Sequence, residues 1–152
     1  MKSNIDIAEL MRRLMQRIVS LDRAEKVCQG VTLSQAYTIE AIRKHDMIPM
    51  NELSQELGLA ISTLTRVNDV LVRDGIVCRN PCETDRRKVN ICLTEKGKEL
   101  AEKLCDCSTK FWSDIIAAIP KEKHGQIYES LDLLLDVLEG VDQGCCQKDS
   151  ID

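Results

Sequence analysis

Two groups of residues in this 152-residue chain have the types and spacing to do chemistry. The first lies between residues 60 and 98. Ser62, Thr63, Thr65 and Arg66 sit close together, Arg79 follows, and Arg86-Arg87-Lys88 stand directly behind Asp85. Hydroxyls and guanidinium groups are the side chains that meet phosphates and base edges, and an arginine can grip guanine in bidentate fashion. The second group is eight cysteines: Cys28, Cys78, Cys82, Cys92, Cys105, Cys107, Cys145 and Cys146. None forms a CxxC pair, so neither a structural zinc site nor any other metal or cofactor is expected. His45 and His124 are the only histidines and stand in no ligand spacing.

Cys78 and Cys92 flank the arginine-rich segment at about equal distance from its centre, with Cys82 between them. A thiolate there, close to Arg79 and the Arg86-Arg87 pair, would react readily with oxidants. Cys78, Cys82 and Cys92 are therefore candidate redox sensors, with Cys28 a lesser one. The alternative stays open that Cys78 and Cys92 are small, half-buried strand residues, as cysteine often is.

The elements that must position these groups follow from periodicity. Ile7, Leu10, Met11, Leu14, Ile18 and Leu21 recur at helical spacing over residues 5–27. Thr32 or Ser34 can cap a second helix reaching about His45, and Met47-Ile48 fit a very short strand. Pro49 opens a third helix that Gly58 stops. The fourth runs from about Ile61 to Arg73, with Leu64, Val67 and Leu71 as its buried stripe. Three residues with a glycine between two short helices form the helix-turn-helix pattern. After Gly75 the period changes: residues 76–79 and 89–93 read as strands, and residues 81–88 as the loop between them. Thr94 caps a long helix carrying Leu100, Leu104, Phe111, Trp112, Ile115 and Ile119. Pro120 breaks it, and Ile127, Leu131, Leu134, Leu135 and Leu138 mark a last helix.

The expected fold is mainly α with a small β-hairpin wing, an α+β winged helix-turn-helix in a single domain over residues 1–152. Residues 32–98 form the DNA-binding region, and residues 142–152 a disordered tail. The helices of residues 1–29 and 99–141 carry more apolar stripe than this small domain needs, so they are expected to pair with a second copy. Charged residues are 30% and hydrophobic ones 43% of the chain, as in a soluble globular protein. No apolar run reaches the ~20 residues of a membrane span and no signal-peptide pattern opens the chain, so the expectation is cytoplasmic and away from membranes.

A net charge of −4 argues at first against a nucleic-acid partner. Residues 60–98, however, hold eight Lys/Arg against five acids, and the rest of the chain 13 against 20. With a Debye length of ~8 Å at physiological salt, the distant acidic surface is largely screened from a local basic face. Enzymes have little support: there is no G-x-S-x-G, no phosphate-binding glycine loop and no metal-hydrolase motif.

Asp85-Arg86-Arg87, then Leu93-Thr94-Glu95-Lys96-Gly97, resembles the DxR…LTxxG wing signature of the MarR family of bacterial regulators. Ser62-Thr63-Leu64-Thr65-Arg66 with Leu71 and Asp74-Gly75 resembles that family's recognition helix. The likeness covers residues 32–100 in detail and implies a homodimer on a pseudo-palindromic double-stranded operator, with repression the favoured sense. It also implies an effect of a small ligand or of oxidation, and a cleft beside the dimerising helices. Trp112, Phe111 and Tyr37 are candidates to line that cleft, although core packing is the more usual role of each. In the same family pattern Asp85 holds Arg87, which enters a minor groove. DNA contacts are then expected from Ser62, Thr63, Thr65, Arg66, Arg79, Asp85, Arg86, Arg87 and Lys88. The competing reading is a winged-helix module that grips an acidic protein partner without specific DNA binding.

Overall fold

The computed structural model describes residues 6–81 and 89–141. Helix α1 spans Ile7–Cys28, α2 Leu33–His45, α3 Met50–Glu56 and α4 Ile61–Arg73, with strand β1, Met47–Pro49, between α2 and α3. Strands β2, Val77–Pro81, and β3, Val89–Leu93, precede α5, Glu95–Ala117; a 3-10 turn over Lys121–Lys123 leads into α6, His124–Glu139. The predominantly helical winged architecture read from the sequence is the one observed.

Local chemistry explains the boundaries. Thr32, not Ser34, caps α2: its hydroxyl accepts from the Gln35 amide while the Gln35 side chain accepts from the Thr32 amide, a reciprocal capping box. Gly58 and Gly75 have φ of 60° and 72°, the left-handed conformation that ends α3 and α4. The sheet is antiparallel in the order β1-β3-β2, so the short β1 makes the expected hairpin three-stranded. Pro81, expected in the loop, ends β2 opposite Val89. Its missing N–H is tolerated there because β2 is an edge strand.

The core packs α2, α3 and α4 on one another and on the sheet: Ala36, Ile39, Ile42, Leu53, Leu64, Leu71 and Ile91 are all fully buried. Helix α5 joins this core through Gly97, Ala101 and Leu104. Gly97 lies so close to the start of β2 that a Cβ placed there would sit 2.0 Å from the Ile76 carbonyl oxygen. Thr94 fixes the same junction, its amide donating to the Ile76 carbonyl at 3.0 Å.

Where α1 meets α2 the contact is ionic. Lys26 is 1% exposed, with Nζ 2.8 Å from Glu40 Oε1 and 3.7 Å from Glu25 Oε2. Burial acts to lower its pKa, but the Glu40 hydrogen bond and the charges of Glu40, Glu25 and Asp22 outweigh this and raise it. The Tyr37 hydroxyl donates to buried Asp22. Burial, that hydrogen bond and the charges of Asp22 and Glu40 push the Tyr37 phenol up to about 12. Tyr37 therefore is not a core residue: its ring is exposed and its hydroxyl serves the cluster.

A compact unit of the chain ends at Lys110 and a second begins at Phe111. In the second, Phe111 and Trp112 meet edge to face with centroids 5.2 Å apart, and Trp112 is exposed at the surface. Helix α6 buries none of its side chains; Leu131, Leu133, Leu135, Val137 and Leu138 are all exposed.

Two outcomes are expected. Gly97→Ala must push apart two backbones, so it should destabilise the fold by about 2 kcal/mol or more in denaturant unfolding. An unchanged midpoint would mean that α5 does not approach β2 as described. Tyr37 has a folded pKa above its unfolded value of about 10, so its protonated form stabilises the fold below pH ~10, and that contribution fades as pH rises toward 12. The melting-temperature advantage of wild type over Tyr37→Phe should accordingly be full at pH 8 and shrink across pH 10 to 12. A constant gap would remove Tyr37 from the ionic cluster.

Candidate nucleic-acid interface

Helix α4 turns one face to the core and the opposite one outward. Leu64 and Leu71 are fully buried and Val67 packs against them, as the stripe requires. Ser62, Thr63 and Arg66 are consequently exposed, and Thr65 is half-buried. The Thr65 hydroxyl donates to the Ile61 carbonyl at 2.8 Å, which fixes its rotamer and leaves its lone pairs free to accept. Arg66 makes no ion pair among the described residues, so its guanidinium is available to a ligand.

The start of α4 is open. Ala60 occupies the cap position with φ −60° and ψ 140° and supplies no side-chain acceptor, whereas its carbonyl accepts from Thr63 and Leu64. The first amides of the helix thus point outward with the positive end of its dipole behind them. The other end is tied down: Lys96 Nζ donates to the Asp74 carbonyl at 2.8 Å, and the Thr94 hydroxyl to the Gly75 carbonyl at 2.7 Å. Arg73, in the last turn of α4, pairs with Asp74 at 3.0 Å.

Arg79 has a partner that the sequence does not announce. Its Nη2 lies 2.5 Å from Asp69 Oδ1, so β2 is tied to the outward face of α4. Arg79 therefore acts as a strut between helix and hairpin. Asp69, an acid on the outward face of α4, is there to hold an arginine. Asp85, Arg86, Arg87, Lys88 and Cys82 lie outside the described residues, as does the expected Asp85–Arg87 pair. The Cys28 side chain is likewise outside the description.

Cys78 and Cys92 are direct register partners across β2 and β3 and are joined by a disulfide, with Cα atoms 5.3 Å apart. Asn80 Nδ2 lies 3.4 Å from Cys92 Sγ on the same hairpin. Cys105 and Cys107 meet different neighbours of α5: Arg43 Nη2 is 3.7 Å from the first, and Gln29 Nε2 is 3.1 Å from the second. The two histidines are occupied, His45 with Glu56 at 2.7 Å and His124 with the Ile119 carbonyl at 2.9 Å. A cleft of about 220 Å³ beside α2, β3 and α5 is lined by Ile42, Arg43, Asp46, Leu93, Lys98 and Glu102.

Sequence reasoning missed Asn68. It is fully buried on the apolar side of α4 and donates to the Leu64 carbonyl at 3.2 Å and to Met50 Sδ at 3.5 Å. Its spacing, four after Leu64 and three before Leu71, was the available signal.

An exposed, hydroxyl-bearing helix beside a strutted antiparallel hairpin defines a winged helix-turn-helix protein. The MarR family model matches residues 31–89. The transcriptional repressor MprA of Escherichia coli K12 is 32% identical over 141 residues, covering 86% of this chain and 79% of that one. The uncharacterized HTH-type transcriptional regulator YfiV of Bacillus subtilis is 27% identical over 119 residues, covering 78% and 74%. Among solved structures, wild-type MarR from E. coli superposes with a TM-score of 0.79 at 23% identity, covering 88% of this chain and 99% of that one. FabT of Streptococcus pneumoniae, crystallised in complex with DNA, gives 0.77 at 23% identity, covering 90% and 97%. The chain belongs to the MarR family of transcriptional regulators, which are DNA-binding proteins and not enzymes.

The open cap of α4 gives a direct test of its geometry. Ala60→Ser supplies the missing acceptor and should raise stability by about 1 kcal/mol. A melting temperature that stays level or falls would show that α4 does not begin at Ile61.

Proposed function

We propose that the chain acts as a cytoplasmic homodimer that binds a pseudo-palindromic operator and represses transcription, with a small ligand or cysteine oxidation altering its grip. The observation that carries this reading is the face of α4 with exposed Ser62, Thr63 and Arg66 and half-buried Thr65, held at a fixed offset from the hairpin by the Asp69–Arg79 pair. Helix α4 enters the major groove. Its uncapped first amides and the hydroxyls of Ser62 and Thr63 take phosphates or base edges, and Arg66, one turn in, reads a guanine. Arg86, Arg87 and Lys88 extend the contact to the flanking minor groove and backbone, with Asp85 orienting Arg87.

Dimerisation supplies the second half-site. Ile7, Leu10, Leu14 and Ile18 of α1 and Leu131, Leu135 and Leu138 of α6 are exposed and repeat at helical spacing. Such stripes belong against a second copy, and two copies related by a twofold axis match a palindrome. The cleft lined by Arg43, Asp46, Lys98 and Glu102 is the place for a small effector that carries charge.

The experiment is operator binding as a function of salt. Arg87→Ala should weaken binding to every duplex and lower the slope of log affinity against log salt by about 0.9 for each phosphate that the variant no longer neutralises. Arg66→Ala should instead cost ~1–3 kcal/mol on the preferred sequence and relax discrimination at one base pair of each half-site. Equal losses on specific and random DNA for both variants would contradict the division of roles.

A further inference from the structure

The hairpin disulfide has a place in the fold that suits it to regulation. Cys92 lies on β3, the central strand, which is paired on its other side through Met47↔Cys92. Cys78 lies on β2, the edge strand, next to Arg79, whose guanidinium holds Asp69 of α4. One covalent bond therefore links the fixed centre of the sheet, the strand that carries the strut and, through the strut, the recognition helix. Residues 82–88, with the wing arginines, connect the two bridged strands.

We propose that Cys78 and Cys92 form a reversible dithiol–disulfide switch, and that the bridged form is the tighter DNA-binding state. The inference rests on the DNA-binding reading above and names its regulation. Three observations carry it. The 5.3 Å separation of the Cα atoms falls inside the ~4.4–6.8 Å range that a disulfide spans, so the bond can close and open without moving the backbone. The strands pair through all five residues of each, from Val77↔Leu93 to Pro81↔Val89, so the ladder keeps the register when the bridge is open. Cys78 is half-buried and open to small reagents, whereas Cys92, beside it on the next strand, is buried.

The chemistry balances with a hydroperoxide as oxidant. The Cys78 thiolate attacks one peroxide oxygen, the O–O bond breaks, and Cys78 sulfenic acid and hydroxide form. The Cys92 thiolate then attacks Cys78 Sγ, the S–S bond forms, and the S–O bond breaks with loss of a second hydroxide. The two thiol protons convert the hydroxides to water: two thiols and hydrogen peroxide give one disulfide and two waters. A cellular dithiol reverses the reaction by exchange, first at the accessible Cys78 sulfur, and is itself oxidised to its disulfide.

Bridging restricts β2 against β3 before DNA arrives, so less ordering remains to oppose docking. The strand that carries Arg79 keeps its alignment with Asp69. The expected gain is about 3- to 10-fold in affinity, the equivalent of immobilising one or two side chains in advance.

The test uses the full chain and a duplex enriched from a random-sequence pool by the reduced protein. Wild type and the double variant Cys78→Ser with Cys92→Ser are compared after reduction with a phosphine and after stoichiometric hydrogen peroxide. Peptide mapping locates the bridge, and circular dichroism confirms folding, with Cys78→Ala as a second variant if the double one unfolds. Support consists of a mapped Cys78–Cys92 bridge, a 3- to 10-fold tighter oxidised wild type, and variants fixed at the reduced wild-type affinity. A bridge that does not form with peroxide, unchanged or weaker binding by the bridged protein, or variants that respond as wild type does would each overturn the switch while leaving DNA binding intact. Failure of the pool to yield any bound duplex would instead overturn the DNA-binding reading, and the switch with it.

Discussion

Leu64 and Leu71 stand seven residues apart, two turns of helix, and both are fully buried. The seat they occupy between α2, α3 and the sheet fixes the rotation of α4 about its own axis. Everything offered to a ligand follows from that rotation: the hydroxyls near the start of the helix, Arg66, and Asp69 reaching to the hairpin. A turn of α4 by one residue, about 100°, would expose leucine and bury the polar face, which close packing forbids at a cost of several kcal/mol. Buried Asn68 adds direction to this seat, since its donors fit only the Leu64 carbonyl and Met50 Sδ. The recognition surface is thus a consequence of the core.

The hairpin is placed by a second set of contacts at the opposite end of α4. Thr94, Lys96 and Gly97 all converge on the backbone of residues 74–76, two by hydrogen bonds and one by lacking a side chain. The three residues form one device, which locks the end of α4, the start of β2 and the start of α5 together. Asp69–Arg79 closes the polygon on the solvent side. An exposed ion pair contributes only ~0.2–1 kcal/mol to stability, so its value lies in orientation more than in energy. It also pairs one positive with one negative charge on the outward side of α4, where Arg66 makes no ion pair among the described residues.

Much of this was legible in the residues themselves. The helix stops at Gly58 and Gly75, the change of period after Gly75, and the leucine stripe of α4 are local signals, and each element lies where they place it. The family's wing motif was legible as a pattern, and the structure supplies the reason for part of it, the close approach at Gly97. What could not be read was non-local. Nothing in the spacing of residues 69 and 79 announces an ion pair between a helix and a strand. Nor does the run Met47-Ile48 declare that it will pair with β3, which follows it by about forty residues. Tyr37 looked like core because aromatic residues usually are; its partner Asp22 is fifteen positions away on another helix, and the choice was made by that carboxylate.

Helix α2 joins these pieces. Its Ala36, Thr38, Ile39, Ala41 and Ile42 are buried, and it packs against α1, α3, α4 and both β1 and β3. Its contact with α1 is of a different kind from the rest. There, buried Lys26 and Asp22 meet half-buried Glu25 and Glu40 and the hydroxyl of exposed Tyr37, and buried charge pairs are sensitive to small displacements. Glu25 has both carboxylate oxygens buried without a hydrogen-bond donor, so Lys26 compensates two carboxylates with one ammonium. A core that is close-packed on α4 and ionic on α1 responds unequally to disturbance. Hydrophobic packing holds α2 and α4 together as one body, whereas a shift of α1 changes the balance of a few charges.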